Sequence, residues 1–294
     1  MAVLIEGMLG AGDCIRQRAI VKYWLNQQEQ VFVKTPWPGL LEDLPVHCIP
    51  VPTGLRTQAK NAKREEARYS PVRPIGNVRK VRVWYTHDGI RQTGSFLKAT
   101  LLNTGTPMTE TDYSLPVPST WGTPRILALP WTKPIMVVRP LCDRNEWGGT
   151  HTRNPDHATY RALFNSIRGR FFVVSIADLE ANKEWLSDGP LDCDVAFHAG
   201  ELTFQEMAFL TRGAALMFAS PGFYVADALA PFLAIDPIVP DACFSDVCTH
   251  SKAIDMPSAL HRLKEFSNAC LRDRQVIPQP AEVEPEGLAQ AVSQ

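Results

Sequence analysis

Short apolar runs alternate with segments of helical period along most of the chain. AVLIE (2–6), QVFVKT (30–35) and VHCIPV (46–51) read as buried strands. Between the first two, Ile15, Ala19, Ile20, Tyr23 and Trp24 recur at the spacing of one helix face over residues 14–26. Strand, helix, strand in that order predicts a βαβ unit with a right-handed crossover, and hence a parallel sheet. Residues 53–69 read as a polar, basic helix or loop, and VRKVRVWYT (78–86) as a fourth strand. Residues 104–130, rich in Pro, Thr and Gly, read as an irregular segment ending in a crossover.

The pattern then starts afresh. PIMVVRP (134–140), RFFVVSIA (170–177), residues 194–198 and AALMFAS (214–220) read as strands. Helices are predicted over 155–167, with Asn154 as cap, over 203–212, opened by Thr203, and over 222–233. Two α/β halves predict two Rossmann-like domains facing across a cleft, residues 1–128 and 129–256. An amphipathic helix through Leu260, Leu263, Phe266 and Cys270 is expected within 257–273, and the Pro-, Glu- and Gln-rich residues 274–294 as a disordered tail.

Composition narrows the class. The chain has 294 residues, 45% hydrophobic and 21% charged, which is ordinary for a globular protein with a real core. No run reaches the ~18 apolar residues of a membrane span, and the first residues lack a signal-peptide pattern, so a cytoplasmic protein is expected. Seven cysteines without a framework spacing predict reduced thiols. Cys243, Cys248 and His250 are clustered, but their spacing is wider than a zinc finger's first pair, and a partly buried loop without metal is expected there. The formal net charge of −1 hides an asymmetry: residues 1–130 hold 16 Lys and Arg against 10 Asp and Glu, whereas the remainder holds 14 against 21. From Arg56 to Lys98 there are 11 basic residues and only Glu65, Glu66 and Asp88 to oppose them. Either an anionic partner on the first half or a solvated, salt-bridged face accounts for such a run.

After the first strand come Gly7, Gly10 and Gly12, as in a dinucleotide-binding turn, but Ile15 stands where the third glycine of that fingerprint belongs. Directly after Gly12 the chain places a carboxylate, Asp13, at a helix start that would otherwise receive a phosphate. The order of "GAGDCIRQRAIVKYW", a basic variable stretch, "IMVVRPLCDRNEW", "RFFVVSIAD" and "FHAGELTFQEMAFLTRGAALMFASPGFYVADALA" resembles the GT-B glycosyltransferases of the heptosyltransferase type, and more closely the glycosyltransferase-like proteins of tailed phages. The resemblance spans roughly residues 2–235. It implies a GT-B fold in which Asp13 faces the interdomain cleft as general base, taking the proton of an attacking acceptor hydroxyl. From sequence alone, Asp13 as a helix cap is an equal reading. Gly10 and Gly12 would then let the backbone approach the ligand closely.

The same resemblance implies that the second half holds a nucleotide sugar, whose diphosphate gains charge as the glycosidic bond breaks and needs cations and N–H donors aimed at it. Arg139, Arg144 and Arg153 lie on or just after a strand end and can supply that charge. Ser220, Gly222 and Phe223 sit where Pro221 and Gly222 open a helix, an anion site; the family's usual acid and serine before that glycine are replaced here by Ala219 and Ser220. Glu201 is placed to accept from ribose hydroxyls and His198 to touch base or phosphate. Each has a plain alternative: a salt bridge for Arg153, a satisfied strand-end histidine for His198, a first-turn helix acid for Glu201. Lys60, Lys63 and Arg64 are expected to bind the acceptor, with Trp37 or Trp84 and Tyr85 as an aromatic platform, although VRVWY reads equally as an ordinary strand. Trp37 or Tyr69 would help extrude a base from duplex DNA, and Glu146 and Trp147 beside Arg144 are orienting or stacking groups, or Trp147 a core plug.

The expected activity is thus transfer from a nucleotide-sugar co-substrate to an anionic acceptor, inverting, by a monomer without metal or other cofactor. The only DxD-like stretch, residues 192–194, is taken as incidental. Two acceptors fit the basic run: a hydroxymethylated pyrimidine in phage DNA, and a phosphorylated lipopolysaccharide core. A catalytically inactive nucleotide- or glycan-binding protein and a nucleotide-sugar epimerase stay open as alternatives.

Overall fold

The structure is a computed structural model that describes residues 2–52, 59–69, 74, 76–139, 142–144, 157–177, 184–186, 191–218, 232–233 and, further on, 264, 265, 268 and 271. The first sheet contains β1 (Ala2–Glu6), β2 (Gln30–Thr35), β3 (His47–Pro50) and β4 (Val78–Arg82), all parallel, in the order β3-β2-β1-β4. Val3, Leu4 and Ile5 of the central β1 are all buried, which is why it reads as an unbroken apolar run rather than an alternating one. The helix expected over 14–26 is two helices, α1 (Ala11–Arg16) and α2 (Arg18–Asn26). Gln17 joins them with near-helical angles (φ −67°, ψ −11°), and the true start lies at Ala11, because extended Gly10 (φ −71°, ψ 134°) forms the N-cap.

The basic stretch contributes α3 (Ala59–Glu65) and a 3₁₀ turn over Glu66–Arg68. Strand β4 stops at Arg82 rather than 86, although Val83 N–H still donates to Glu6 O at 3.0 Å. Two helices then follow that apolar periodicity did not disclose, α4 (His87–Thr93) and α5 (Phe96–Thr104). Thr86 Oγ1 and Ser95 Oγ cap their N-termini, and Gly94 and Gly105 close them in the left-handed region, where a Cβ would be strained.

A crossover with the short α6 (Pro124–Leu127) leads to the second sheet: β5 (Ile135–Val138), β7 (Phe172–Ile176), β9 (Val195–Phe197), β10 (Leu216–Phe218) and β11 (Phe232–Leu233). These strands are parallel in the order β11-β10-β5-β7-β9, with α7 (His157–Ile167) after β5 and α8 (Phe204–Gly213) after β9. A small antiparallel ribbon pairs β6 (Cys142–Arg144) with β8 (Glu184–Leu186). Counted within its half, the second sheet runs third, second, first, fourth, fifth, the doubly wound order with its switch point between β5 and β10. Phe232 and Leu233, read from sequence as the end of a helix, instead pair with Met217 and Phe218. Thr203 caps α8 as expected and completes a capping box with Glu206.

Each half has a buried cluster of its own, and a further cluster spans both. Ala11, Cys14, Ile15, Trp37 and Leu40 of the first pack in a single cluster with Ile135, Val137, Ile176, Leu202, Phe204 and Leu210 of the second. Trp37, read from sequence as an acceptor platform, is fully buried there, with its ring edge-on to Phe204 at 4.7 Å. The 3₁₀ turn Pro38–Leu41, itself buried, follows it directly, and Leu40 joins the same cluster. Among the described residues, no helix is long and apolar enough to cross a membrane. Cys14, Cys48 and Cys193 are free thiols.

Candidate functional site

The turn after β1 is held from behind by buried groups. Cys14 Sγ–H donates to Met8 O (3.0 Å) and Trp37 Nε1–H donates to Leu9 O (2.7 Å). Burial pushes the Cys14 thiol well above its usual pKa, so it acts here as a neutral donor. Gly10 and Asp13 fit together: a Cβ at position 10 would lie 2.7 Å from Asp13 Oδ2. Glycine at position 10 leaves room for the carboxylate over the backbone, and a Cβ there would push the carboxylate aside. Asp13 stands in the first turn of α1, its side chain 23% exposed, with Arg16 Nη1 3.7 Å from Oδ1. Gly12 is buried inside α1. Because Ala11, Cys14 and Ile15 on the same helix enter the shared core, Asp13 is carried at the junction of the two halves.

Two buried residues beneath this turn escaped the sequence reading. Arg18, fully buried, makes a bidentate pair with Asp43 (2.8 and 2.6 Å) and donates to Ser114 O (2.9 Å) and Leu40 O, tying α2 to two loops. Gln17 is also fully buried, lies against Gly7, and its side-chain amide has no hydrogen-bond partner among the described residues. Arginine and glutamine read as surface residues in a sequence, and only their partners, or the want of them, reveal otherwise.

The residues expected to bind acceptor on α3 are placed differently. Lys60 Nζ donates to Ala199 O, Asn61 Nδ2 to Leu202 O (3.3 Å), and Arg64 to Gly200 O (3.0 Å), Leu202 O (3.2 Å) and Asn61 Oδ1 (2.9 Å). Lys60 and Arg64 thus satisfy carbonyls of the turn between β9 and α8 in the other half; Lys63 is exposed. Buried Glu65 on the same helix accepts from Gly39 N–H (2.6 Å) and from Gln205, and Arg68 Nε lies 3.3 Å away. Burial, only partly offset by these partners, raises its pKa above the usual carboxylate value. Tyr69 is half-buried and its hydroxyl donates to Thr35 O.

In the second half, Arg139 follows β5 at the switch point, its backbone N–H donating to Phe218 O at 3.2 Å. His198, just past β9, pairs through Nε2 with Ser175 Oγ at 2.8 Å. Burial lowers the imidazole pKa against the opposing pull of Glu201, so His198 is neutral at neutral pH. Glu201 Oε2 accepts from Ala199 N–H (2.8 Å) around Gly200, whose φ is +67°. The turn carrying His198 and Glu201 is closed by this bond and lies at the C-terminal edge of the sheet, the edge at which open α/β sheets in general bind ligands. Asp192 and Asp194 both pair with Arg168 (3.0 and 3.3 Å) near the opposite edge, where β9 begins. Among the described residues, no three His, Cys, Asp or Glu side chains gather as a metal site. The side chain of Arg144, and Glu146, Trp147, Arg153, Ser220, Gly222, Phe223, Cys243, Cys248 and His250, lie outside the described residues.

No family model matches the chain, and no curated protein does. Solved structures do resemble it. ADP-heptose LPS heptosyltransferase II of E. coli superposes over 92% of this chain and 99% of its own, with a TM-score of 0.58 at 14% identity. A family 9 glycosyl transferase from Veillonella parvula covers 92% and 97%, with a TM-score of 0.56 at 9% identity. TibC of enterotoxigenic E. coli, a dodecameric iron-containing heptosyltransferase seen with ADP-D-β-D-heptose, covers 93% and 77%, with a TM-score of 0.55 at 14% identity. Two doubly wound parallel sheets and these neighbours define the GT-B glycosyltransferase fold.

Proposed function

We propose that the protein transfers a glycosyl group from a nucleotide sugar to a hydroxyl of an anionic acceptor. The reading is carried by Asp13: a partly exposed carboxylate on the helix after β1, at the junction between two doubly wound halves. Heptosyltransferase neighbours that cover over nine-tenths of the chain, one of them seen with ADP-heptose, support a nucleotide-sugar donor.

The donor binds the second half, with the diphosphate at the switch point beside Arg139 and, by sequence position, Arg144, Arg153 and residues 220–223. His198 and Glu201 border the nucleoside, the neutral imidazole offering one donor and one acceptor nitrogen. The acceptor hydroxyl attacks the anomeric carbon from the side of the first half. Asp13 takes its proton, the new C–O bond forms, and the old bond's electron pair leaves with the diphosphate. One displacement inverts the anomeric configuration, and guanidinium charge rather than a divalent ion meets the leaving group. The acceptor is hydroxymethylpyrimidine DNA of a phage or a phosphorylated lipopolysaccharide core.

Incubation with ADP-heptose and other nucleotide sugars, with nucleoside diphosphate release as readout, tests this. Asp13→Asn is expected to lower turnover at least ~100-fold, the usual contribution of a positioned base, while the nucleotide still raises the melting temperature. Unchanged turnover in Asp13→Asn removes the base assignment. Turnover lost to EDTA removes the metal-independent route.

A further inference from the structure

The basic stretch has a second face, formed by the first sheet. Residues in register on neighbouring parallel strands point to the same side, so Glu6, Lys34 and Arg82 form one row and Leu4, Phe32 and Lys80 the next. Lys34 Nζ sits 2.7 Å from a Glu6 oxygen. The hydrogen bond from Lys34, together with the charges of Lys34, Lys80 and Arg82, holds the Glu6 carboxyl below its usual pKa. This face keeps a surplus of positive charge, and Lys80 and Arg82 on β4 are exposed.

Strand β4 is the last strand of its sheet among the described residues. Beyond it the alternation continues: Val83 is buried and Trp84 is 53% exposed. Lys80, Arg82 and Trp84 thus succeed one another along one side of an edge strand, at a spacing of about 6.8 Å per pair of residues. The indole lies nearly parallel to Tyr85 (20°, centroids 6.4 Å apart), and Asn103 Nδ2 donates to Trp84 O at 3.1 Å. The backbone at Trp84 is thus tied to α5, and the half-exposed indole has Tyr85 beside it.

We infer that the row Lys80–Arg82–Trp84, with Lys34 beside it, is a docking strip for single-stranded nucleic acid, the cations meeting phosphates and the indole stacking on a base. This deepens the acceptor part of the proposed function and rests on it. It replaces α3 as the anion-binding element, since Lys60 and Arg64 hold the other half. A membrane surface would call for a broad apolar face beside the cations. Of the four large apolar side chains exposed among the described residues, Leu9, Trp84, Leu102 and Met108, only Trp84 lies in this row.

The test measures binding of a fluorescent oligothymidylate to the full chain by anisotropy, from about 50 to about 200 mM salt. Affinity should fall steeply with salt. Lys80→Glu with Arg82→Glu should weaken binding more than about tenfold and flatten the log–log salt slope by about 1.4, two phosphate contacts at ~0.7 each. Trp84→Ala should weaken binding about tenfold with the slope unchanged, because stacking releases no counterions. All three residues are exposed, so the variants should stay folded, which circular dichroism checks; Lys80→Gln with Arg82→Gln, which sets no new carboxylate beside Glu6, should weaken binding in the same direction. Binding indifferent to these substitutions overturns the strip, as does binding of anionic vesicles or a phosphorylated glycan in preference to the oligonucleotide. Asp13→Asn should bind the oligonucleotide as the parent does. Transfer to some acceptor without oligonucleotide binding sinks the strip alone, and binding without any turnover sinks the transferase reading alone.

Discussion

If one core joins the halves, Trp37 and Phe204 should be energetically coupled although they lie on different sheets' elements. Replacing Trp37 by Leu removes roughly 70 Å² of buried apolar surface, about 2 kcal/mol at ~25 cal/mol per Å². It also removes the indole's hydrogen bond to Leu9 O, about 1 kcal/mol, for a total near ~3 kcal/mol. Phe204→Leu, at a site 4% exposed, removes roughly 35 Å² and should cost about 1 kcal/mol by the same reckoning. An edge-to-face ring pair adds ~0.5–1.5 kcal/mol beyond area, so the double variant should fall short of the summed losses by about 1 kcal/mol. For a chain of this size, Trp37→Leu then lowers Tm by about 6–12 °C. Urea unfolding followed by far-UV circular dichroism, with calorimetry alongside, measures the cycle. One transition shifting as a whole is expected. Losses additive within ~0.5 kcal/mol, or two transitions of which each variant moves only one, would refute a shared core.

Other outcomes follow from the turn after β1 and from α3. Gln17→Leu should raise Tm by about 2–4 °C, since an unpartnered buried amide costs at least ~1 kcal/mol; a lower Tm would mean the amide is satisfied. Gly10→Ala should leave stability within ~1 kcal/mol, because its φ suits any residue, but cut turnover about 100-fold by displacing the Asp13 carboxylate. Equal loss of both would make Gly10 merely structural. Glu65 binds its proton more tightly folded than unfolded, so its contribution to stability is full below about pH 4.5 and falls as pH rises through the higher folded value. Urea midpoints against pH should show that fall in the parent and a flatter profile in Glu65→Gln.

How much of this was legible before the structure differs by element. Strands β1, β2, β5 and β7 are buried on both faces, so their apolar runs betrayed them, and the α8 cap was visible as Thr203 three residues before Glu206. Helices α4 and α5 went unread because their signals are punctuation rather than periodicity: Thr86 and Ser95 before them, Gly94 and Gly105 after. Asp13 was legible as a carboxylate at a helix start, and its relation to Gly10 was not, since that depends on a side chain folding back over the backbone. Lys60 and Arg64 looked like free cations because their acceptors lie about 140 residues away, and no local pattern encodes a contact at that separation. Strand β11 was read as helix because two residues of strand carry no period of their own.

The grip of α3 on the turn at 199–202 bears on how proteins of this architecture diversify. Halves that met only across a cleft could be recombined freely, each bringing its own specificity. Here one short helix of the first half supplies donors to three carbonyls of the second, so a grafted N-terminal half would arrive with the wrong hand for its new partner's turn. Working chimaeras should keep helix and turn from the same parent, and natural changes in one should be answered by changes in the other.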